Sequence, residues 1–332
     1  MIAGITYDEI YVYDDETKEK ILTLEQFETE PKRGVVNKSI PLSENKFSYE
    51  QLKEKFFSSD GSFLVLNYKF FLKVVSTLNG EVVLMLDYSD NPIRKVLLTE
   101  DNSRILILSY DNLRCYYLET KELIYSNNTS FLNMCIGNNL LALYDDDNIT
   151  IIDIYNDEVV REENYDFYYG GTELQLMIEL DEKMDFHIIQ VLFSTQLNEF
   201  VILGNLVSNE HCYKILNLDL ELISTIQGYN LSSVAYLSYG GDKIIFFVRT
   251  YFKVFDILTG KCIHIIRLSY YNARNVYINN GLTLNVNFED NTCIYDLENF
   301  EETDIITAGP NRLLREIIPI TENYGMSSYL LK

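Results

Sequence analysis

The sequence predicts an all-β chain folded as a seven-bladed β-propeller of four-stranded blades. Three observations carry that prediction: a hairpin that recurs at a regular interval, an Asx turn that recurs ahead of it, and a composition biased towards strand formers. The hairpins are YVYDDETKEK, KVVSTLNGEV, RCYYLETKEL, ITIIDIYNDE, KILNLDLEL, KVFDILTGKC and CIYDLENFEE, whose first strands close at Asp14, Ser76, Tyr117, Asp153, Asn217, Asp256 and Asp296. The residue before each closing position is apolar or aromatic: Tyr13, Val75, Tyr116, Ile152, Leu216, Phe255 and Tyr295. Successive closing positions are 62, 41, 36, 64, 39 and 40 residues apart. A base period of about 40 residues is what a four-stranded propeller blade requires, so the two long intervals read as insertions into a regular array.

The second register stands six residues ahead of the closing positions, at Asp8, Asp111, Asp147 and Asp290, the last three followed by Asn. Asx side chains bond nearby backbone and tolerate left-handed φ, so Asp-Asn before an alternating apolar run is turn chemistry. Tyr (26) and Phe (18) are abundant while Pro (5) and Gly (15) are few, which suits strands.

Taken in order, residues 2–24 hold an inner or middle strand (IAGIT) and the first hairpin. The first insertion covers about 25–55; within it Ser48 followed by Tyr49-Glu50-Gln51 has capping-box spacing, so a short helix over 49–57 is expected, and Lys32-Arg33-Gly34 forms a small basic island. Turns at Ser59-Asp60-Gly61, Asp101-Asn102, Gly137-Asn138-Asn139, Gly240-Gly241-Asp242 and Asn279-Asn280-Gly281 separate the first two strands of successive blades. The second insertion covers about 162–187; its first half is aromatic, and its second half alternates through Leu174, Leu176, Ile178 and Leu180 as an extra strand would. The C-terminal RLLREIIPITENYGMSSYLLK carries a first-strand pattern with no hairpin after it. It is expected to close the ring in one blade with the N-terminal strands, donating one strand or two, which removes the exposed edges of an open array. The whole chain, 1–332, then forms one propeller domain.

The pattern resembles degenerate WD40 repeats, in which a turn Asp precedes a strand ending in Trp-Asp and a short turn. Here Tyr, Phe or an aliphatic residue stands where that family has Trp, the chain contains no Trp, and only three His exist. The family's Trp/His/Ser/Asp bonding network therefore does not carry over. The resemblance implies that Asp8, Asp111, Asp147 and Asp290 occupy the turns between second and third strands, and that the protein is a non-enzymatic scaffold for protein–protein interaction.

Composition narrows the partners. Fifty acidic against 27 basic residues give a net charge of −23, a field that repels nucleic-acid phosphates and anionic lipid and favours a partner with a basic segment. No segment approaches the ~18 uninterrupted apolar residues of a membrane span, and MIAGITYDEIYVYDD lacks a basic start and a signal-length apolar core. Cys115, Cys135, Cys212, Cys262 and Cys293 are odd in number and far apart, as reduced, buried thiols are. The expectation is a cytoplasmic protein with no membrane contact.

Candidate sites are few. Tyr165, Phe167, Tyr168 and Tyr169, ahead of Gly170-Gly171, form an aromatic run suited to a partner-binding patch or to packing the insertion on its blade. Both insertions follow the last strand of one blade and precede the first of the next, three blades apart, so they should flank the channel mouth on one face. Asp145-Asp146-Asp147 offers oxygens to calcium but lacks the alternation and Gly of a calcium loop. His211-Cys212 and Cys262-x-His264 fall in different blades, where core packing is expected rather than zinc binding. No Gly-x-Ser-x-Gly elbow or Gly-rich phosphate loop occurs, so no catalytic residue, metal or cofactor is assigned. Two rival readings stay open: a propeller hydrolase or lyase with carboxylates and a His at the channel mouth, and a structural subunit that joins a larger assembly by its outer edges.

Overall fold

A computed structural model describes residues 2–5, 9–13, 20–25, 53–58, 60–145, 148–156, 158–164, 186–206, 209–219, 221–227, 235–238, 241–248, 251–268, 275–279, 283–287, 291–296, 302–307 and 316–319. Among these residues every regular element is a strand, and the strands form seven four-stranded antiparallel sheets. Sheet 1 contains β1 (Ile2–Ile5), β2 (Glu9–Tyr13), β3 (Lys20–Glu25) and, beside β1, the C-terminal β28 (Glu316–Pro319). Sheet 2 runs β4 (Glu54–Phe57), β5 (Phe63–Asn67), β6 (Phe71–Ser76), β7 (Val82–Asp87). Sheet 3 runs β8 (Ile93–Leu98), β9 (Arg104–Ser109), β10 (Asn112–Tyr117), β11 (Leu123–Asn128). Sheet 4 runs β12 (Asn133–Gly137), β13 (Leu140–Tyr144), β14 (Asn148–Asp153), β15 (Glu158–Asn164). Sheet 5 runs β16 (Phe186–Ser194), β17 (Glu199–Leu206), β18 (Asn209–Asn217), β19 (Leu222–Gln227). Sheet 6 runs β20 (Ala235–Leu237), β21 (Lys243–Val248), β22 (Tyr251–Asp256), β23 (Cys262–Arg267). Sheet 7 runs β24 (Asn275–Asn279), β25 (Thr283–Asn287), β26 (Asn291–Asp296), β27 (Glu302–Thr307). The register of β28 on β1 pairs Ile2 with Pro319 and Ile5 with Glu316, so the described C-terminal residues give sheet 1 one strand.

The recurring hairpin has a physical cause. In all seven sheets the pairing of third and fourth strands shifts register where the chain enters the residue before the closing position: Tyr13, Val75, Tyr116, Ile152, Leu216, Phe255 and Tyr295. A bulge bends the strand and re-aims that side chain. Val75, Tyr116, Ile152, Leu216, Phe255 and Tyr295 are all buried, which is why the position is apolar. The closing side chain then caps the turn. Asp256 Oδ1 accepts the Thr259 N–H (2.8 Å) and hydroxyl (2.7 Å), Asp153 Oδ1 accepts the Tyr155 and Asn156 N–H groups, and Asn217 Oδ1 accepts those of Asp219 and Glu221. In the turns after Ser76, Tyr117 and Asp256 a left-handed residue stands four places on, Gly80 (φ 74°), Lys121 (φ 63°) and Gly260 (φ 64°), whose N–H groups return to the carbonyls of those three residues.

The residue after the closing position ties the sheet together. The N–H groups of Thr77, Leu118, Ile154 and Ile257 donate to the carbonyls of Ser62, Ser103, Asn139 and Asp242, which end the first turn of the same sheet. Its carbonyl is taken by the preceding sheet: Arg104 Nη1 reaches Ile154 O (2.6 Å), Arg161 Nη2 reaches Leu218 O (2.8 Å), and Ser224 Oγ reaches Ile257 O (2.5 Å).

Apolar cores lie between successive sheets. Phe56, Leu72 and Val74 meet Val96, Leu98 and Ile105 between sheets 2 and 3; Cys135, Ala142 and Ile151 meet Val191, Phe193 and Phe200 between sheets 4 and 5. Between sheets 5 and 6, Tyr213 packs on Phe246 and Phe246 on Phe255. Burial of such faces is the dominant favourable term. First strands lie against first strands, β8 with β12, β12 with β16, β16 with β20, β24 with β28 and β28 with β4.

Two expectations are corrected. The capping-box helix over 49–57 does not form over 54–57: Glu54–Phe57 is a fully buried strand paired with β5, and tertiary pairing overrides the local signal; residues 49–52 lie outside the described residues. Cys262 and His264 are not core residues either, because β23 is an outer strand on which both are exposed, while Cys115, Cys135, Cys212 and Cys293 are buried. The expected extra strand through Leu174–Leu180 lies outside the described residues.

Candidate functional site

Of the turn residues singled out in the sequence, Asp111 is described, whereas Asp8, Asp147 and Asp290 lie outside the described residues, as do Tyr165, Phe167, Tyr168 and Tyr169. Asp111 stands between β9 and β10. Its carboxylate accepts the Asn91 and Asn112 amides, and its carbonyl accepts the Thr129 N–H (2.9 Å). Asn91, on the β7–β8 connection, also accepts the Tyr110 N–H (3.0 Å) and donates to Ser109 Oγ (2.9 Å). In sheet 4 the corresponding turn is capped by Asp145, whose Oδ1 accepts the Asn148 N–H (2.8 Å) and amide (2.9 Å).

Second-to-third turns and the connections between sheets leave an antiparallel meander on the same side. On this side, the junction of sheets 2 and 3 gathers cations. Lys53 Nζ donates to the carbonyls of Arg94 (2.7 Å) and Ile93 (3.3 Å), and the Ile93 N–H donates to the Lys69 carbonyl (2.6 Å). Lys69 holds a left-handed φ of 72° in the β5–β6 turn, with its ammonium 5.2 Å from the Phe70 ring. The Arg94 guanidinium lies 4.1 Å from the Tyr110 ring centre. Burial of the Lys53 ammonium lowers its pKa; Glu54 opposes that, and Lys69, Arg94 and Lys95 reinforce it.

Glu54, the next residue, is buried. It accepts the Val96 N–H (3.1 Å) across the sheet boundary and the Asn67 amide (3.3 Å). Burial pushes its carboxyl pKa above the ordinary glutamate range, against the pull of Lys95, Asn67, Lys53 and the Val96 N–H. Gln190 does the same work between sheets 5 and 6, accepting the Ala235 N–H (3.0 Å) from a position matching Glu54. An acid whose folded pKa is raised takes up a proton on folding, so its stabilising contribution is complete below the unfolded value of about 4.3 and is lost as pH rises through the folded value. Glu54→Gln is therefore expected to raise the urea midpoint at about pH 8 and to leave it unchanged near pH 4. Urea titrations of both proteins across that range check it; a variant no more stable than wild type at the higher pH rejects the account.

Nothing in the spacing of Lys53, Lys69 and Arg94 announces their meeting, since each comes from a different segment. The signal the sequence does carry is an exposed Lys-Phe pair in a turn where sheets 1, 3, 4 and 7 carry Asp. Among the described residues no group of three or more His, Cys, Asp or Glu is placed to hold a metal ion, and no helix is long and apolar enough to cross a membrane.

No protein-family model matches the chain, and no curated protein matches it. Solved structures do. The β-propeller domain of Myceliophteria thermophila Cps50 (Swd1) superposes with a TM-score of 0.57 at 10% identity, over 78% of this chain and 87% of that one. KlHsv2 with its loop 6CD replaced by a Gly-Ser linker gives 0.53 at 12% identity, over 77% of this chain and 81% of that one. At such identities the likeness is one of fold: the four-stranded sheets are arranged as the blades of a β-propeller.

Proposed function

We propose that the chain is a non-enzymatic interaction scaffold, a single domain whose seven sheets are the blades of one closed ring. A protein partner docks on the face where the β3–β4 and β15–β16 connections emerge. The observation that carries this reading is that the two long connections, over 26–53 and 165–185, are both of the fourth-to-first type. Antiparallel order within each sheet sends all such connections to one side, and enlarged loops on a rigid scaffold are where binding concentrates. Tyr165, Phe167, Tyr168 and Tyr169 supply the aromatic anchors, and the net charge of −23 favours a basic partner segment over nucleic acid or an anionic membrane. The free thiols support a cytoplasmic setting.

The test is an array of Lys/Arg-rich peptides probed with the full chain and with a variant carrying Ser at 165, 167, 168 and 169. Selective capture by wild type, reduced about tenfold or more in the variant, is expected for loss of anchoring aromatics. Equal capture by both assigns the aromatic run to packing. A second reading, a subunit of a larger assembly, is favoured by apolar side chains exposed on outer strands, Val159 and Val160 on β15 and Ile263 and Ile265 on β23. It predicts that Ile265→Lys, and not the aromatic variant, releases the partner.

A further inference from the structure

We propose that the notch between sheets 2 and 3, formed by Lys53, Lys69 and Arg94 under the rings of Phe70 and Tyr110, binds a short acidic peptide segment of a partner protein. This goes beyond the scaffold reading and does not depend on the aromatic run at 165–169.

Lys53, Lys69 and Arg94 meet at one backbone junction, joined by the Lys53 ammonium and by backbone groups, so that the Lys69 and Arg94 cations are not used in joining it. The Lys53 ammonium is drawn onto the Ile93 and Arg94 carbonyls, and the Lys69 carbonyl holds the Ile93 N–H, so the three residues share a single backbone junction. Neither Lys53, Lys69 nor Arg94 forms an ion pair with a carboxylate within 4.0 Å among the described residues. The Arg94 guanidinium lies over the Tyr110 ring, and its Nε is buried without a hydrogen-bond partner. Glu54, which acts on Lys53 through its charge, is hydrogen-bonded by Val96 and Asn67 at the sheet boundary. The chain as a whole is strongly acidic, so a cationic notch with no ion-paired carboxylate among the described residues is a local reversal of its field, and charges in the notch outrun that field only within a Debye length of about 8 Å.

The rim identifies the occupant. Phe70 is 43% exposed and Tyr110 52% exposed, offering apolar faces on either side of the cations. Exposed rings beside an Arg fork suit a peptide that places a carboxylate on the guanidinium and an apolar side chain on the rings. A long polyanion would meet the repulsion of the remaining surface, and of Asp90 and Asp111 on the same side, so a short segment is selected.

The test is fluorescence anisotropy with a labelled peptide of alternating Glu and Leu, its Lys-for-Glu counterpart and inorganic phosphate as competitor, using the full chain. Saturable binding of the Glu peptide is expected, weakened about tenfold or more by Arg94→Gln and by Lys69→Gln, as loss of a charge-assisted pair requires. The Ser variant at 165, 167, 168 and 169 should bind it normally, which separates failure here from failure of the scaffold reading. Because Arg94 is partly buried, urea midpoints are recorded for both variants, and exposed Lys69 decides the matter if Arg94→Gln fails to fold. Unchanged affinity in a folded variant, equal binding of the Lys peptide, or phosphate competing as well as unlabelled peptide overturns the proposal.

Discussion

Gly260→Ala is expected to cost about 3 kcal/mol of stability, combining left-handed strain of about 1 kcal/mol with overpacking. Gly260 sits in the turn between β22 and β23 at φ 64°, and a Cβ there would lie 2.1 Å from the Thr225 carbonyl oxygen on β19. That oxygen belongs to backbone, so relief requires sheets 5 and 6 to separate where Ser224 latches Ile257. Lys121 occupies the matching place in sheet 3 at φ 63°, so the backbone conformation by itself tolerates a side chain. Gly80→Ala, at the matching place in sheet 2, is accordingly expected to cost only about 1 kcal/mol. Urea denaturation of the two variants side by side is the check: equal losses would show that the close approach to Thr225 does not matter.

Arg104→Met is expected to lose about 2–4 kcal/mol, because it strands a buried carbonyl and removes a buried charge from its bonded partners. Arg104 is 6% exposed; it donates to Ile154 O (2.6 Å) and to the Tyr117 hydroxyl (3.0 Å), and lies between the rings of Tyr117 and Tyr155 at 5.0 and 4.5 Å. Lysine would keep the charge without the planar fork that serves both partners and both rings, so Arg104→Lys should recover only part of the loss. Arg161 makes the equivalent latch to Leu218, but its side chain is 31% exposed and its ion pair with Asp219 reaches solvent. Arg161→Met should cost less than about 1 kcal/mol. If chemical denaturation finds the two substitutions equally costly, burial is not what gives the Arg104 latch its strength.

The Arg104 latch also explains the one irregular repeat. Tyr117 stands where other hairpins close with Asp, Asn or Ser, and its hydroxyl is the acceptor for Arg104 Nη2. The sequence offered Tyr117 as an exception without a cause, since its partner lies on another strand. The same limit applies to the cationic notch: Lys53, Lys69 and Arg94 leave no motif because three separate segments bring them together. The capping-box signal at Ser48 failed over 54–57 for a related reason, as a few local hydrogen bonds are weak beside a strand buried along its length.

What the sequence determined by itself is the repeating hairpin and, through it, the sheets. An apolar residue at the bulge, an Asx or Ser cap at the strand end and a left-handed residue four places on are demands of hydrogen bonds only a few residues long. Such demands leave a residue at a fixed spacing. What only the tertiary structure decided is the joining of one sheet to the next and the gathering of charge at their junctions. Contacts such as Arg104 with Ile154, Glu54 with Val96 and Lys53 with Arg94 span separations of 50, 42 and 41 residues. Over such distances the chain path, and not a local pattern, brings the groups together.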